Sequence, residues 1–70
     1  MNGRALEAKI ASKDMTIDAF CSRYGFSAKA FRRKKEGEAE FTRSEMERIA
    51  VALELTAEEA VAIFFADEVS

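Results

Sequence analysis

Helix-start signals recur through this chain and constrain its fold more than any other feature of the sequence. Residues 42–45 (Thr-Arg-Ser-Glu) and 56–59 (Thr-Ala-Glu-Glu) are capping boxes, in which each side chain, Thr and Glu, accepts a hydrogen bond from the other's backbone N–H. Thr16 and Ser27 belong to residue types that cap helices, and each precedes a further segment of helical pattern. The chain contains no proline that would interrupt these helices. The signals predict an all-α protein built from short helices.

Apolar residues at helical spacing divide the chain into five short segments with tight connections. Gly25 and Gly37 are permissive residues that end the second and third segments. Phe41 is predicted to close the core from the loop before the fourth segment. Because 70 residues leave no room for a second core, we expect one domain, residues 1–70, folded as a compact five-helix bundle. The helices are predicted at about residues 4–13, 16–24, 28–35, 42–53 and 56–65.

The composition excludes most catalytic chemistry. Histidine is absent and Cys21 is the single cysteine, so Cys/His zinc sites and serine or cysteine nucleophiles paired with histidine are excluded. The glycines, Gly3, Gly25 and Gly37, fit neither a dinucleotide-binding motif nor a phosphate loop. We therefore expect no enzyme, no catalytic residue, no metal or other cofactor and no small-molecule substrate. Cys21 is interpreted as a small buried core residue.

The sequence also lacks the features of membrane and secreted proteins. No apolar stretch approaches the length of about 18 residues that a spanning helix requires. The first residues lack the apolar core of a secretion signal, and one unpaired cysteine agrees with a reducing compartment. We expect a cytoplasmic protein, in a bacterial or phage-infected cell, with no membrane partner.

The two halves of the chain carry opposite charge. Residues 1–35 hold nine cations and three anions, whereas residues 36–70 hold two cations and ten anions. The overall net charge of −2 conceals this contrast. Such asymmetry predicts a surface that faces a polyanion in the first half and a solvated or partner-facing surface in the second.

The third predicted helix, about residues 28–35, concentrates the positive charge. With Phe31 facing the core, a turn of 100° per residue directs Lys29, Arg32 and Arg33 outward as one ridge, with Ala28 at its exposed tip. Lysine and arginine neutralise phosphates or bind guanine in the major groove. Ser27 and Thr16, at the starts of the third and second helices, are candidates to hold phosphates through the adjacent N–H groups. A run of basic residues is also compatible with an ordinary solvated face.

The order of motifs resembles the Cro/C-repressor type of helix-turn-helix proteins, and in particular small phage and prophage regulators. The resemblance covers about residues 6–65 and rests on residues 15–27, Phe31, Arg33 and Gly37, followed by Phe-Thr-Arg-Ser-Glu at 41–45 and Ile-Ala at 49–50. It implies a lambda-repressor-like DNA-binding domain with the helix-turn-helix at about residues 16–36. It further implies transcriptional control by sequence-specific binding of operator DNA, with the recognition helix, about 28–35, in the major groove.

This chain departs from the family pattern at three positions. Ile17 and Ala28 replace a glutamine and a polar residue that many members use to hold a phosphate and to contact a base. Lys35 stands where an apolar residue is common, and by its position Lys34 also flanks the core side of Phe31. A competing interpretation is therefore a protein-interaction module, such as an antirepressor or a repressor partner, that keeps the scaffold without binding DNA.

The fifth predicted helix carries a wider apolar arc than a small core needs. Its apolar side chains span about 200°, whereas a helix on a core buries little more than about 100°. Ile63 on one flank or Phe65 on the other is expected to remain exposed, with only Val69 in the tail to cover it. We predict a homodimer interface formed by Ile63, Phe65 and Val69. The competing interpretation is that the tail folds back over the patch.

Overall fold

The computed structural model describes residues 1–66, which form a bundle of α-helices and contain no strand. The Cα radius of gyration is 11.0 Å, the value expected for a compact chain of this length. In the described part no helix is long and apolar enough to cross a membrane. The all-α fold with five helices is confirmed. The helices are α1 (Gly3–Ala11), α2 (Ile17–Tyr24), α3 (Ala28–Lys35), α4 (Arg43–Ala52) and α5 (Ala57–Phe64).

Side-chain caps define the start of every helix. The hydroxyl groups of Thr16 and Ser27 accept hydrogen bonds from backbone N–H groups three residues later, as predicted. Both capping boxes form, at Thr42 in α4 and at Thr56 in α5. Asn2 starts α1, because its side chain accepts a hydrogen bond from the backbone N–H of Ala5; this cap was not predicted from the sequence.

A three-residue connection joins α2 to α3. Gly25 adopts a left-handed conformation, with φ of 79°, which a residue without a Cβ atom reaches at little cost. The backbone N–H of Phe26 donates to the Cys21 carbonyl at 2.8 Å and closes the turn. The short connection keeps the two helices in contact through their side chains.

A row of aromatic rings runs through the core from α2 to α5. Phe20 in α2 contacts Phe31 in α3 at 5.8 Å between ring centroids, and Phe31 contacts Phe41 at 5.3 Å. Phe41 reaches Phe64 in α5 at 6.0 Å. Phe31 is 1% exposed and is the one fully buried side chain of α3. The predicted roles of Phe31 as anchor and Phe41 as plug are confirmed, and the same row anchors α3 to the rest of the fold.

Helix α1 closes the bundle against α3 and α5. Its start lies so close to the end of α3 that a Cβ atom on Gly3 would be 2.6 Å from the Lys35 carbonyl oxygen. The backbone N–H of Asn2 donates to the Ile63 carbonyl at 2.6 Å. Leu6 and Ile10 are buried and complete the core from this side.

Candidate nucleic-acid interface

The outward face of α3 carries three exposed cations, Lys29, Arg32 and Arg33, which we call the basic ridge. Their orientation follows from the helical spacing, because Phe31 between them is held in the core. The Lys29 side chain makes no hydrogen bond or ion pair with the described residues. The ridge is therefore a cationic strip on a helix whose opposite side is fixed by one aromatic anchor.

Each arginine of the ridge faces one carboxylate. Arg32 Nη1 lies 2.8 Å from Asp18 Oδ1 in α2, and Arg33 Nε lies 3.5 Å from Glu38 Oε1 in the following loop. The hydrogen bond and charge of Asp18 raise the pKa of Arg32. All four side chains are well exposed to solvent, so these pairs contribute little to stability and other anions compete for the guanidinium groups.

The capping residues expected to hold phosphates lie at the helix starts, but their side chains already have partners. Thr16 Oγ1 accepts from the Ala19 N–H at 3.0 Å, and Ser27 Oγ accepts from the Ala30 N–H at 3.3 Å. Each still leaves the first backbone N–H groups of its helix without intrahelical acceptors.

Contrary to the prediction, Ala28 does not lie at an exposed tip of the basic ridge. It is half-buried and packs against the core, because the short connection from Tyr24 holds the first turn of α3 inward. The ridge therefore begins at Lys29.

Lys34 and Lys35 belong to the fold and not to the ridge. Lys34 Nζ lies 2.9 Å from both carboxylate oxygens of Glu45 in α4 and 5.9 Å from the centre of the Phe41 ring. Desolvation raises the pKa of Glu45, but the hydrogen bonds from Lys34 and from the Thr42 backbone outweigh it, so that the pKa is lowered. Lys35 is half-buried, and its stem lies beside Gly3. Of the two lysines predicted to flank the core side of Phe31, Lys34 thus has an ion-pair partner, and Lys35 packs its stem beside the start of α1.

Other cations of the basic first half are also paired with acids of the second half. Lys9 Nζ lies 2.6 Å from Glu59 Oε2, and Lys13 Nζ lies 2.7 Å from Glu54 Oε1. These ammonium groups lower the pKa of Glu59 and of Glu54, with a further hydrogen bond from the Thr56 backbone to Glu59. Part of the charge asymmetry is thus neutralised within the molecule. The ridge is a segment of the basic half that remains turned to solvent.

Arg48 in α4 is a residue of this region that the sequence analysis missed. Its Nη2 donates to the Tyr24 carbonyl, and its Cζ lies 4.3 Å from the centre of the Phe26 ring in the α2–α3 connection. No local sequence pattern predicts this contact, because Arg48 and the α2–α3 connection are distant in sequence and meet only through the packing of α4.

The predicted dimer patch on α5 is only partly exposed, because α5 is oriented with Ile63 toward the core. Ile63 is buried, with 4% of its surface exposed, so it is part of the core and does not contribute to an outer surface. Phe65 and Val61 are 48% and 57% exposed. Val69 lies outside the described residues.

The described residues contain no group of three or more Cys, Asp or Glu side chains arranged to hold a metal ion. Cys21 is buried in the core, and burial raises the pKa of its thiol. A thiol of this kind is poorly ionised and correspondingly unreactive. Its position agrees with the interpretation of Cys21 as a packing residue.

Comparisons with protein-family models, curated proteins and solved structures found no match to this chain.

Proposed function

We propose that the protein is a DNA-binding transcriptional regulator of phage or prophage type, with α3 as its recognition helix. The observation that carries this proposal is the division among the cations. Lys9 and Lys34 form partly buried pairs with acids on other helices. The two arginines of the basic ridge pair only at exposed positions, and the Lys29 side chain pairs with none of the described residues. A helix with a solvent-facing cationic side suits the major groove, which is about 12 Å wide.

In this proposal α2, the glycine turn and α3 form a helix-turn-helix at about residues 16–36 within a lambda-repressor-like domain. The left-handed Gly25 and the three-residue connection support it, since such a turn joins the two helices of this motif. The N-terminus of α2 then lies beside the phosphate backbone while α3 enters the groove. Lys29 is the outermost cation of the ridge near the start of α3, the part of a recognition helix that contacts bases.

Asp18 and Glu38 fit the proposal as exchangeable partners of the two arginines. Both pairs are exposed, so a DNA phosphate or a guanine edge replaces the carboxylate without uncovering a buried charge. The planar guanidinium then binds its new acceptor in a bidentate arrangement.

We further propose that the regulator acts as a homodimer through the exposed surface of α5 around Phe65 and Val61. A two-fold dimer presents two recognition helices at a spacing of about 34 Å, one turn of DNA, to a near-palindromic operator. The exposed aromatic side chain of Phe65, the residue that follows α5, supports this arrangement.

The direct test of the ridge measures binding to fluorescent duplex DNA, selected from random sequences, at about 50 mM salt. Arg32→Ala and Arg33→Ala are each expected to weaken binding by about 1–3 kcal/mol while the melting temperature changes little. Arg43→Ala is the matched control, because Arg43 is an exposed arginine of α4 whose ion-pair partner among the described residues is Glu47, one turn later. Equal losses in all three variants would mean that net charge, and not the ridge, determines binding.

A further inference from the structure

Two side chains of α4 contact the last turn of α3 and the connection that precedes α3. Glu45 holds Lys34 in the last turn of α3, with both carboxylate oxygens 2.9 Å from the ammonium nitrogen. Arg48, three residues later on α4, reaches the connection that leads into α3. Residues three apart are neighbours on a helix surface, so a single stretch of α4 contacts the last turn of α3 and the connection before its start.

The contact of Arg48 with the connection has two components. One guanidinium nitrogen donates to the Tyr24 carbonyl, which is among the last carbonyls of α2 and lacks an intrahelical donor. The guanidinium carbon lies 4.3 Å from the centre of the Phe26 ring. The same nitrogen also lies close to Gly25, where a Cβ atom would be 3.4 Å from it. A planar guanidinium with several N–H donors is well suited to make both contacts at once.

Phe26 packs against both α2 and α3 and so links the Arg48 contact to these two helices. Its ring lies nearly parallel to that of Phe20 in α2, at 6.0 Å between centroids, and meets the edge of Phe31 at 5.7 Å. Phe31 is the aromatic anchor of α3. Because Phe31 is the one fully buried side chain of α3, a shift of Phe26 against it is expected to move the start of α3.

We infer that Arg48 is a positioning residue that fixes the orientation of α3 and thereby the direction of the basic ridge. The inference rests on the proposed DNA-binding function and adds a residue outside the helix-turn-helix to it. Arg48 acts through Tyr24 and Phe26, so it needs no contact with DNA. When α3 samples other orientations, the apparent affinity falls in proportion to the fraction of molecules in the binding orientation.

The test compares Arg48→Lys and Arg48→Gln with the wild-type chain, using backbone amide resonances and duplex DNA binding under conditions where all variants are folded. Both variants are expected to shift the amide resonances of residues 25–35 more than those of α1 and α5. Both are expected to lose about threefold to tenfold in affinity, with the salt dependence of binding unchanged. Arg43→Lys on the same helix serves as the control and is expected to change neither measurement.

The outcomes separate this inference from the proposed function. Retained affinity in Arg48→Lys, together with a shallower salt dependence in Arg48→Gln, would mean that Arg48 contacts a phosphate directly, and the inference would be wrong. Normal binding by both Arg48 variants, beside a loss in Arg32→Ala, also overturns the inference and leaves the proposed function intact. Absence of DNA binding by the wild-type chain overturns the proposed function and the role of Arg48 in binding together.

Discussion

Gly3 occupies a position where two helices meet without space for a side chain. A Cβ atom there would lie 2.6 Å from the Lys35 carbonyl oxygen and 3.0 Å from Lys35 Cγ. The oxygen belongs to the backbone of α3, so the clash is relieved only when α1 and α3 move apart. Gly3 has no positive φ, so the requirement for glycine arises from this close approach alone.

Gly3→Ala is expected to lower the free energy of unfolding by about 1–3 kcal/mol, the usual cost of overpacking. Helix propensity alone predicts the opposite sign, because alanine is favoured over glycine in helices. The reverse change on the same helix, Ala8→Gly at an exposed site, is expected to destabilise by about 1 kcal/mol through propensity. Urea denaturation measures both, and a Gly3→Ala chain as stable as wild type would contradict the observed close approach.

Local sequence predicts those residues whose role is local. The four Ser and Thr caps, the left-handed Gly25 and the inward direction of Phe31 are all determined by neighbours within a turn or two. The importance of Gly3 and of Arg48 was not predictable in this way. Their partners, Lys35 and the Tyr24–Phe26 turn, come near them only in the folded chain.

At the level of elements, α5 shows why helix rotation is hard to derive from sequence. The wide apolar arc predicts an exposed flank, but either flank satisfies that pattern. In the structure the Asn2 N–H binds the Ile63 carbonyl, and the Ile63 side chain lies in the core. Phe65 and Val61 are then the large apolar side chains that this region leaves at the surface.

Sedimentation at tens of micromolar tests whether this surface pairs two copies of the chain. The wild-type protein is expected to sediment as a dimer and Phe65→Glu as a monomer, because a buried carboxylate without a partner opposes association. Val51→Glu is the matched control, since Val51 is a 78% exposed valine on α4 and its replacement is expected to leave the dimer intact. A monomeric wild-type chain would rule out the proposed dimer at these concentrations.

At the level of the whole molecule, the ion pairs join the basic half of the chain to the acidic half. Lys9–Glu59 joins α1 to α5, Lys13–Glu54 joins the residues that follow α1 and α4, and Lys34–Glu45 joins α3 to α4. In each pair the lysine lowers the pKa of the glutamate in the folded state. A lowered folded-state pKa means that the unfolded chain binds protons more readily.

The contribution of these pairs to the free energy of unfolding is therefore expected to be fully present above about pH 4.3, the ordinary pKa of glutamate. It is expected to be lost as the pH falls through the lowered folded-state pKa values. Urea denaturation between pH 3 and pH 7 measures this dependence. Glu45→Gln keeps a residue type that the capping box accepts but removes one titrating group. The free energy of unfolding of this variant is therefore expected to decrease less steeply on acidification than that of the wild-type chain. Stability that stays constant or rises on acidification would contradict the role assigned to these pairs.

The charge asymmetry also shows how far sequence reasoning extends to the whole molecule. Composition and helix signals predict the all-α bundle, and the outward positions on α3 predict the exposure of Lys29, Arg32 and Arg33. They do not reveal which cations the fold uses internally. Lys34 stands next to Arg33 in sequence, yet its acceptor, Glu45, belongs to another helix.

The salt dependence of binding to duplex DNA tests the central claim most directly. If the ridge and the helix starts neutralise about five phosphates per protomer, the logarithm of the association constant should fall against the logarithm of salt concentration with a slope of about −4.5. We predict that slope for the wild-type chain. For each ridge cation that contacts a phosphate, its removal is predicted to make the slope less steep by about 0.9. No measurable binding at about 50 mM salt would contradict the account and favour a protein-interaction module instead.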